Sequence, residues 1–321
     1  MTSRAKAARR GPDLLSYLPA LTLALFLAPV AAGLIGTWLP AFGWLPALGG
    51  NRITLEPWRQ LLAAPELPGA ARLTITSGLL ATLSALAIVI VCCAALHDTR
   101  LFHMMRRLLA PLLAIPHAAL AIGLAFLIAP SGWIARLLSP WLTGWDLPPD
   151  LATLRDDYGL GLAAGLILKE VPYLLLVTIA AADQADARHS LTVARSLGYG
   201  PAAAWLKAVL PRIYPQIRLP IYAVLAFSLS VVDMAIILAP ATPPPLAPLL
   251  LRWFNDPDLS QRFMAAAGAT LQLLIVLGAI LAWRLTELLI ARLCRIWIAG
   301  GARGGAGPRS LAALVGGAGV C

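Results

Sequence analysis

LTITSGLLATLSALAIVIVCCAAL, residues 73–96, is an uninterrupted apolar run without a charged side chain. A hydrocarbon core of about 30 Å is crossed by roughly 20 helical residues, so this run is long enough to span a bilayer. Five further apolar stretches of similar length occur, at 17–39, 108–129, 159–182, 217–239 and 265–290. The pattern predicts an all-α polytopic membrane helix bundle with about six transmembrane helices.

The composition of the whole chain indicates a membrane rather than an aqueous environment. Its 321 residues are 60% hydrophobic and 12% charged, with a mean hydropathy of +0.80. A water-soluble domain of this composition lacks the polar surface to cover its apolar residues. The net charge of +10 does not indicate nucleic-acid binding, because basic patches interleaved with aromatic residues are absent. We therefore expect the lipid bilayer, and no nucleic acid, around this chain.

The distribution of Lys and Arg predicts the orientation of the helices. Positive residues near the ends of spans are retained in the cytoplasm. Most of the 25 Lys and Arg fall in segments that are cytoplasmic when the N-terminus lies inside. An even number of spans then makes both termini cytoplasmic. We expect a basic cytoplasmic tail at 1–16, a transmembrane domain at 17–290 and a cytoplasmic low-complexity tail at 291–321.

Motifs for metal binding or covalent catalysis are absent from the sequence. Cys92, Cys93, Cys294 and Cys321 show neither the paired spacing of metal ligands nor a disulfide framework. Neither a nucleophile–base motif nor a GxxxxGK[ST] phosphate loop occurs. We expect free thiols, no metal, no cofactor and no enzymatic activity in this chain.

The segment between the fourth and fifth spans, 183–216, is long for a loop in a helix bundle, and it is itself patterned. Residues 189–197, HSLTVARSL, have the spacing of a short amphipathic helix. Gly198 and Gly200 suit left-handed positions that end such a helix. The pattern predicts a first helix followed by a tight turn.

A second short helix is predicted directly after this turn. Pro201 suits its first position, and AAAWLKAVL, residues 202–210, continues it until Pro211 ends it. Its apolar positions are predicted to form an exposed surface, edged by basic residues, that docks into a groove on a partner. These positions are Trp205, Val209 and Leu210.

This helix-turn-helix resembles a motif shared by permeases of binding-protein-dependent ABC importers. The family motif reads Glu-Ala-Ala, three residues, Gly, nine residues, an aliphatic residue, any residue, then Leu-Pro. The corresponding residues here are Thr192, Val193, Ala194, Gly198, Ala208, Leu210 and Pro211. The spacing matches throughout, whereas Thr192 replaces Glu, Val193 replaces Ala, and Ala208 is small. The flanking segments look closest to a branch near the thiamine, iron and polyamine permeases.

The resemblance implies an ABC importer mechanism. In the family, two membrane halves form the solute pore, each cytoplasmic loop fits a groove on one of two ATPase subunits, and an external solute-binding protein delivers the solute. ATP hydrolysis then belongs to a separate subunit, coupled to the pore through the 189–211 helix-turn-helix. The coupling residues implied are Thr192, Ala194, Gly198, Trp205, Leu210 and Pro211. The solute is not indicated, and the second half is either a copy of this chain or a different chain.

Charged residues inside the predicted spans form a second candidate site. Lys169 and Glu170 lie in the fourth span and Asp233 in the fifth, and each costs at least about 2.5–3.5 kcal/mol if it faces lipid. They belong either to the translocation path or gate, or to a buried packing cluster, for example Lys169 with Asp233. Two other functions remain open: a proton-coupled secondary transporter that uses these charges as a relay, and a membrane scaffold that transports nothing.

Three further residues in the spans are assigned to packing or local structure. Gly161 and Gly165 form a small-xxx-small pair, which favours close contact with another helix. His117 follows the Pro116 break and is interpreted as a hydrogen-bonded structural residue in preference to a residue of the path.

Overall fold

The computed structural model describes residues 17–97 and 99–299, without the side chains of 293–299. The predicted basic tail, 1–16, and the predicted low-complexity tail from 300 onward lie outside the described residues. Nearly all regular structure in the described part is helical, which confirms the all-α membrane bundle. The chain forms two compact units: one holds residues up to Ala63 together with Trp253–Thr270, and the other holds Ala64–Arg252 and the residues from Leu271 onward.

The first unit begins with helix α1, Leu18–Ala41. Most of its apolar side chains are exposed in the single chain, which suits a helix surrounded by lipid. A short antiparallel hairpin follows, in which strand β1, Trp44–Leu45, pairs with strand β2, Gly50–Asn51. Helix α2, Glu56–Ala63, is amphipathic and buries Leu61.

The remaining helices lie wholly or mainly in the second unit. They are α3 (Leu67–Leu96), α4 (Arg100–Ala114), α5 (His117–Ile128), α6 (Trp133–Leu138), α7 (Leu160–Gln184), α8 (Ala187–Ser196), α9 (Pro201–Ala204), α10 (Leu210–Ser230), α11 (Asp233–Leu238), α12 (Leu246–Phe254) and α13 (Gln261–Ala299). A π-helical turn, Trp205–Val209, joins α9 to α10.

Helix α7 lies at the centre of the second unit. It packs against α3, α10 and α4, and it is the most buried candidate membrane helix among the described residues. Leu162 and Leu166 belong to a buried cluster that includes residues of α5 and α11. Leu174 and Leu175 belong to a second cluster, which includes residues of α8 and α10. The apolar residues of α7 lie on all sides of the helix, as expected of a helix that is buried all round.

Five helices of the described residues are long and apolar enough to cross a membrane. They are Leu18–Ala41, Leu67–Leu96, His117–Leu138, Leu160–Gln184 and Gln261–Arg292. They overlap five of the six predicted spans. The predicted start of the third span at 108 is wrong, because 108–114 belongs to the amphipathic helix α4. Helix α13 continues past the predicted domain end at 290, to Ala299, and the bounds of the transmembrane domain stay a prediction.

The predicted span 217–239 is two helices instead of one. Helix α10 ends at Ser230, α11 begins at Asp233, and Val231 between them has an extended backbone. The side-chain amide of Gln272 donates a 2.8 Å hydrogen bond to the carbonyl of Leu229. This bond satisfies one carbonyl at the interruption, as the apolar surroundings require. Counting α10 and α11 as one crossing keeps the predicted even number, and cytoplasmic termini remain a prediction.

A second interruption lies between α4 and α5. Ile115 has an extended backbone, and Pro116, which lacks an N–H group, directly precedes α5. Helix α5 packs against α11. The helices that follow the two interruptions, α5 and α11, are therefore neighbours within the second unit.

Helices α3 and α10 approach each other closely at Gly78. A Cβ atom added there would lie 2.7 Å from Cδ2 and 3.2 Å from Cα of Leu229. The second contact is with the backbone, so a larger side chain requires the helices to separate.

We expect Gly78→Leu to lower the free energy of unfolding by about 3 kcal/mol, because overpacking at this contact separates α3 from α10. The matched control is Gly123→Leu, since a Cβ at Gly123 meets nothing within 4 Å. Thermal unfolding in detergent would measure both variants. Equal melting temperatures for the two variants would contradict the close contact.

Candidate functional site

The predicted first helix and turn of the 183–216 segment are present. Helix α8 is capped by Asp186, whose carboxylate accepts a hydrogen bond from the backbone N–H of His189. It ends at Ser196, and Gly198 has a left-handed backbone with φ +84°. This conformation suits glycine because a Cβ is disfavoured there. The second left-handed position is not at Gly200, which has φ −64°; the prediction for Gly200 is wrong.

The second helix does not end at Pro211. Pro201 starts it as predicted, but α9, the π-helical turn and α10 follow one another without a gap up to Ser230. In the π-helical turn, the N–H of Leu210 bonds to the carbonyl of Trp205, five residues earlier. Pro211 then lies in the first turn of α10, where its missing N–H is tolerated. The segment is therefore continuous with a helix of the bundle.

Trp205 and Val209 are buried inside this chain, so the prediction that they form an exposed docking surface is wrong. Each is only 1% exposed. They share a buried cluster with Leu191 of α8 and Ile179 of α7. Their apolar side chains hold the helix-turn-helix against the bundle.

The exposed surface of the segment is instead supplied mainly by α8. Val193 is 46% and Leu197 is 58% exposed. Among the other predicted coupling residues, Thr192, Gly198 and Pro211 are exposed, Leu210 is half-buried and Ala194 is buried. We call Thr192, Val193 and Leu197 the α8 surface. The exposed side chains of Arg188 and Arg195 on the same helix give its surroundings a basic character.

A direct contact holds α8 to the start of α10. The guanidinium of Arg212 donates a 2.6 Å hydrogen bond to Oγ of Ser190. The two helices are thus connected at the surface as well as in the core.

Within the membrane, Lys169 does not pair with Asp233. Its ammonium group donates hydrogen bonds to the carbonyl oxygens of Leu113, at 3.0 Å, and Ile115, at 2.6 Å. These carbonyls lie at the C-terminal end of α4, where the helix has no N–H groups to bond them. A cation is favoured at such an end. Lys169 therefore closes the interruption between α4 and α5.

The other two predicted charges have different surroundings. Asp233 is exposed in the single chain and lies in the first turn of α11. Glu170 is only 5% exposed and lies on the central helix α7. Lys169 and Glu170 point in directions that differ by about 100°, as neighbours on a helix do. The structure therefore does not bring the three charges together in one cluster.

His117 is the first residue of α5, and its ring lies 4.8 Å from the ring of Phe227 on α10. It follows the interruption between α4 and α5, where Lys169 bonds to the carbonyl of Ile115. Asp233 begins α11, at the other interruption.

Sequence reasoning overlooked one carboxylate, Glu287 on α13. It lies within the predicted span 265–290 and is buried. Hydroxyl and guanidinium groups surround it, with Tyr214 at 2.7 Å and Arg284 at 2.9 Å. The available signal was the oppositely charged pair Arg284 and Glu287, three residues apart in a largely apolar run.

Among the described residues, no group of three or more His, Cys, Asp or Glu is arranged so that it could hold a metal ion. Cys92 and Cys93 are free thiols. Cys294 and Cys321 lie outside the part of the chain whose side chains are described.

Comparison with curated proteins shows a clear relative. The chain is 33% identical over 238 residues to the inner membrane ABC transporter permease protein YnjC of Escherichia coli strain K12. The match covers 72% of this chain and 44% of that protein. This chain belongs to the ABC transporter permease family. The predicted membership of the ABC permease family is thereby confirmed, and the permease is a multi-pass protein of the inner membrane.

Solved structures show the same fold for this permease. A bacterial ABC transporter involved in the import of the acidic polysaccharide alginate matches with a TM-score of 0.59 and 18% identity, covering 84% of this chain and 95% of that chain. The bacterial alginate ABC transporter in complex with an alginate pentasaccharide-bound periplasmic protein matches with a TM-score of 0.60 and 18% identity, covering 83% and 92%. No family model matches the sequence. The permease spans less than half the length of its curated relative.

Replacing Lys169 by Met should loosen the interruption between α4 and α5, because the carbonyls of Leu113 and Ile115 lose their donor. We expect faster amide hydrogen exchange over 115–120 in the Lys169→Met permease. The matched control is Leu168→Met, at an exposed neighbouring position. Identical exchange in both variants would show that Lys169 does not hold this interruption.

Proposed function

We propose that this permease forms one half of the translocation pore of an ABC importer and that its 189–211 helix-turn-helix couples the pore to a separate cytoplasmic ATPase. The supporting observation is the combination of a buried Trp205 with an exposed α8 surface. The segment is held to its own bundle by one side and presents the other side to a partner. The 33% identical relative is itself described as an ABC transporter permease.

The continuity of the backbone supports a mechanical role for the segment. Because α9, the π-helical turn and α10 form one helical run, a displacement of α8 acts on a helix that reaches the interruption at Val231. A flexible loop would absorb such a displacement. Closure of the ATPase pair would then switch the pore between two states by rigid-body movement.

The α8 surface defines the chemistry of the groove that receives it. Val193 and Leu197 require an apolar floor, and the neighbouring Arg188 and Arg195 favour an acidic rim. Thr192 stands where the family motif has Glu, so the surface lacks the acidic group of that motif. We propose two such ATPase subunits, one for each permease half.

Import and an external binding protein are proposed from the fold neighbours. One of the two alginate transporter structures is of a protein involved in import, and the other is a complex with a pentasaccharide-bound periplasmic protein. The second permease half is a copy of this chain or a different chain. The solute is not assigned, because a likeness of 18% identity shows the fold alone.

The charged residues at the two interruptions, Lys169 and Asp233, are proposed as part of the translocation path or gate. Discontinuous helices line binding sites in several transporter folds, and here two interruptions lie beside the packed helices α5 and α11. The ammonium group of Lys169 is hydrogen-bonded to backbone carbonyls, so we assign it the role of positioning the end of α4. Asp233, exposed in the single chain, is the group that would face the path. Glu170 stays a candidate on its burial alone.

Docking through the α8 surface can be tested by co-purification. Leu197→Asp should prevent recovery of an ATPase with the tagged permease from detergent-solubilised membranes, because a carboxylate is costly in an apolar, acidic-rimmed groove. The matched control is Leu147→Asp, at another exposed leucine in a predicted external loop.

Wild type and Leu147→Asp should both retain the ATPase. If wild type recovers no ATPase and the purified chain alone takes up solute, the coupling proposal is wrong and a secondary transporter is supported. If Leu197→Asp retains the ATPase at wild-type yield, docking does not use the α8 surface.

The turn at Gly198 gives a second test. Gly198→Val should abolish transport and leave the protein in the membrane, because a β-branched residue resists φ +84°. The matched control is Gly200→Val, since Gly200 has an extended backbone that valine adopts readily. ATP-dependent uptake into membrane vesicles that contain the assembled transporter would measure both. Full uptake by Gly198→Val would exclude a required left-handed turn.

A further inference from the structure

The buried carboxylate of Glu287, on α13, contacts side chains from three successive turns of α10. The hydroxyls of Tyr214 and Tyr222 donate to it at 2.7 and 3.0 Å. The guanidinium of Arg218 forms an ion pair with it at 3.3 Å. Arg284, on its own helix, donates at 2.9 Å. We call these five residues the Glu287 cluster.

The spacing along α10 is the informative feature. Positions 214, 218 and 222 are four residues apart, so their side chains form one stripe along the helix. This stripe spans a rise of about 12 Å. The carboxylate of Glu287 therefore contacts side chains from more than two turns of α10, and not from one turn only.

The part of α10 that contacts Glu287 is also the part that contains prolines. Pro215 and Pro220 lie inside the helix, and each removes a backbone hydrogen bond and favours a kink. The three contacts of Glu287 lie before Pro215, between the two prolines, and after Pro220. They oppose bending at both positions.

The carboxylate is well compensated in this position. Charge-assisted hydrogen bonds are stronger than neutral ones, and two arginines, Arg218 and Arg284, lie beside the carboxylate. The neutral hydroxyl of Tyr214 donates one of its hydrogen bonds. The indole N–H of Trp283 also approaches the Tyr214 oxygen, at 3.4 Å.

We infer that Glu287 is a positioning residue that keeps the proline-containing start of α10 straight and joined to α13, so that the coupling segment and α13 move as one body. The role in coupling rests on the proposed function. The rigidity of α10 does not, because it is a property of this chain alone. Without the cluster, a displacement of α8 would bend α10 at its prolines and would not reach the membrane interior.

The rigidity is tested first in nanodiscs without any ATPase. Spin labels are attached at Ser196 of α8 and Leu288 of α13, both exposed, in a variant whose four cysteines are replaced by alanine. Double electron–electron resonance should give one narrow distance in the otherwise wild-type permease. Glu287→Gln should broaden the distribution, because the ion pair with Arg218 is lost.

Thr286→Val is the matched control, since Thr286 is exposed and bonds only to the carbonyl of its own helix turn. It should leave the distance narrow. If Glu287→Gln does not fold, Tyr222→Phe decides, because it removes one contact of the cluster and should broaden the distribution less. A folded variant of either kind with the narrow wild-type distance would overturn the inference.

The functional consequence is tested in the assembled transporter. A cysteine at Ser230, an exposed residue at the end of α10, should change its accessibility to a thiol reagent when ATP and vanadate are added. In Glu287→Gln the ATPase should still co-purify, but this change should be lost. A retained change would overturn the positioning role, whereas failure of the wild-type permease to recover an ATPase would overturn the proposed function and leave the nanodisc result standing.

Discussion

Burial of Trp205 in the permease's own core is the interaction on which the 189–211 helix-turn-helix depends. An indole buries roughly 200 Å², which contributes about 5 kcal/mol at about 25 cal/mol per Å². Its N–H has no hydrogen-bond partner among the described residues, at a cost of about 1–3 kcal/mol. The apolar term is larger. The helix-turn-helix is therefore a packed part of the bundle, and α8 is left with one apolar side for a partner.

The membrane imposes a second constraint, which determines where the chain can be interrupted. A helix break in apolar surroundings requires substitute donors for the carbonyls it frees. Lys169 supplies them at the end of α4, and Gln272 supplies one at the end of α10. The helices that follow the two interruptions, α5 and α11, pack together. Lys169 acts as a closing group, whereas Asp233 is exposed in the single chain.

Hydropathy and turn chemistry predicted much of this architecture. Apolar runs located five of the spans, and glycine preference located the left-handed turn at Gly198. Periodicity identified Trp205 as apolar but could not distinguish a surface covered by the same chain from one covered by another protein. The sequence also could not show that a π-helical turn lets the helical run continue past Pro211. Glu287 was missed because its partners on α10 are about 70 residues away in sequence and meet it only in the fold.

The orientation of α8 towards an ATPase is tested most directly by site-specific photocrosslinking from α8 in native membranes. A photoreactive amino acid at Val193, on the α8 surface, is compared with one at Leu191, which is buried in the cluster with Trp205. We predict a covalent adduct with an ATPase subunit from position 193 and none from position 191. An adduct from position 191, or none from position 193 in membranes that contain the assembled transporter, would contradict the orientation of α8 and with it the coupling role of the segment.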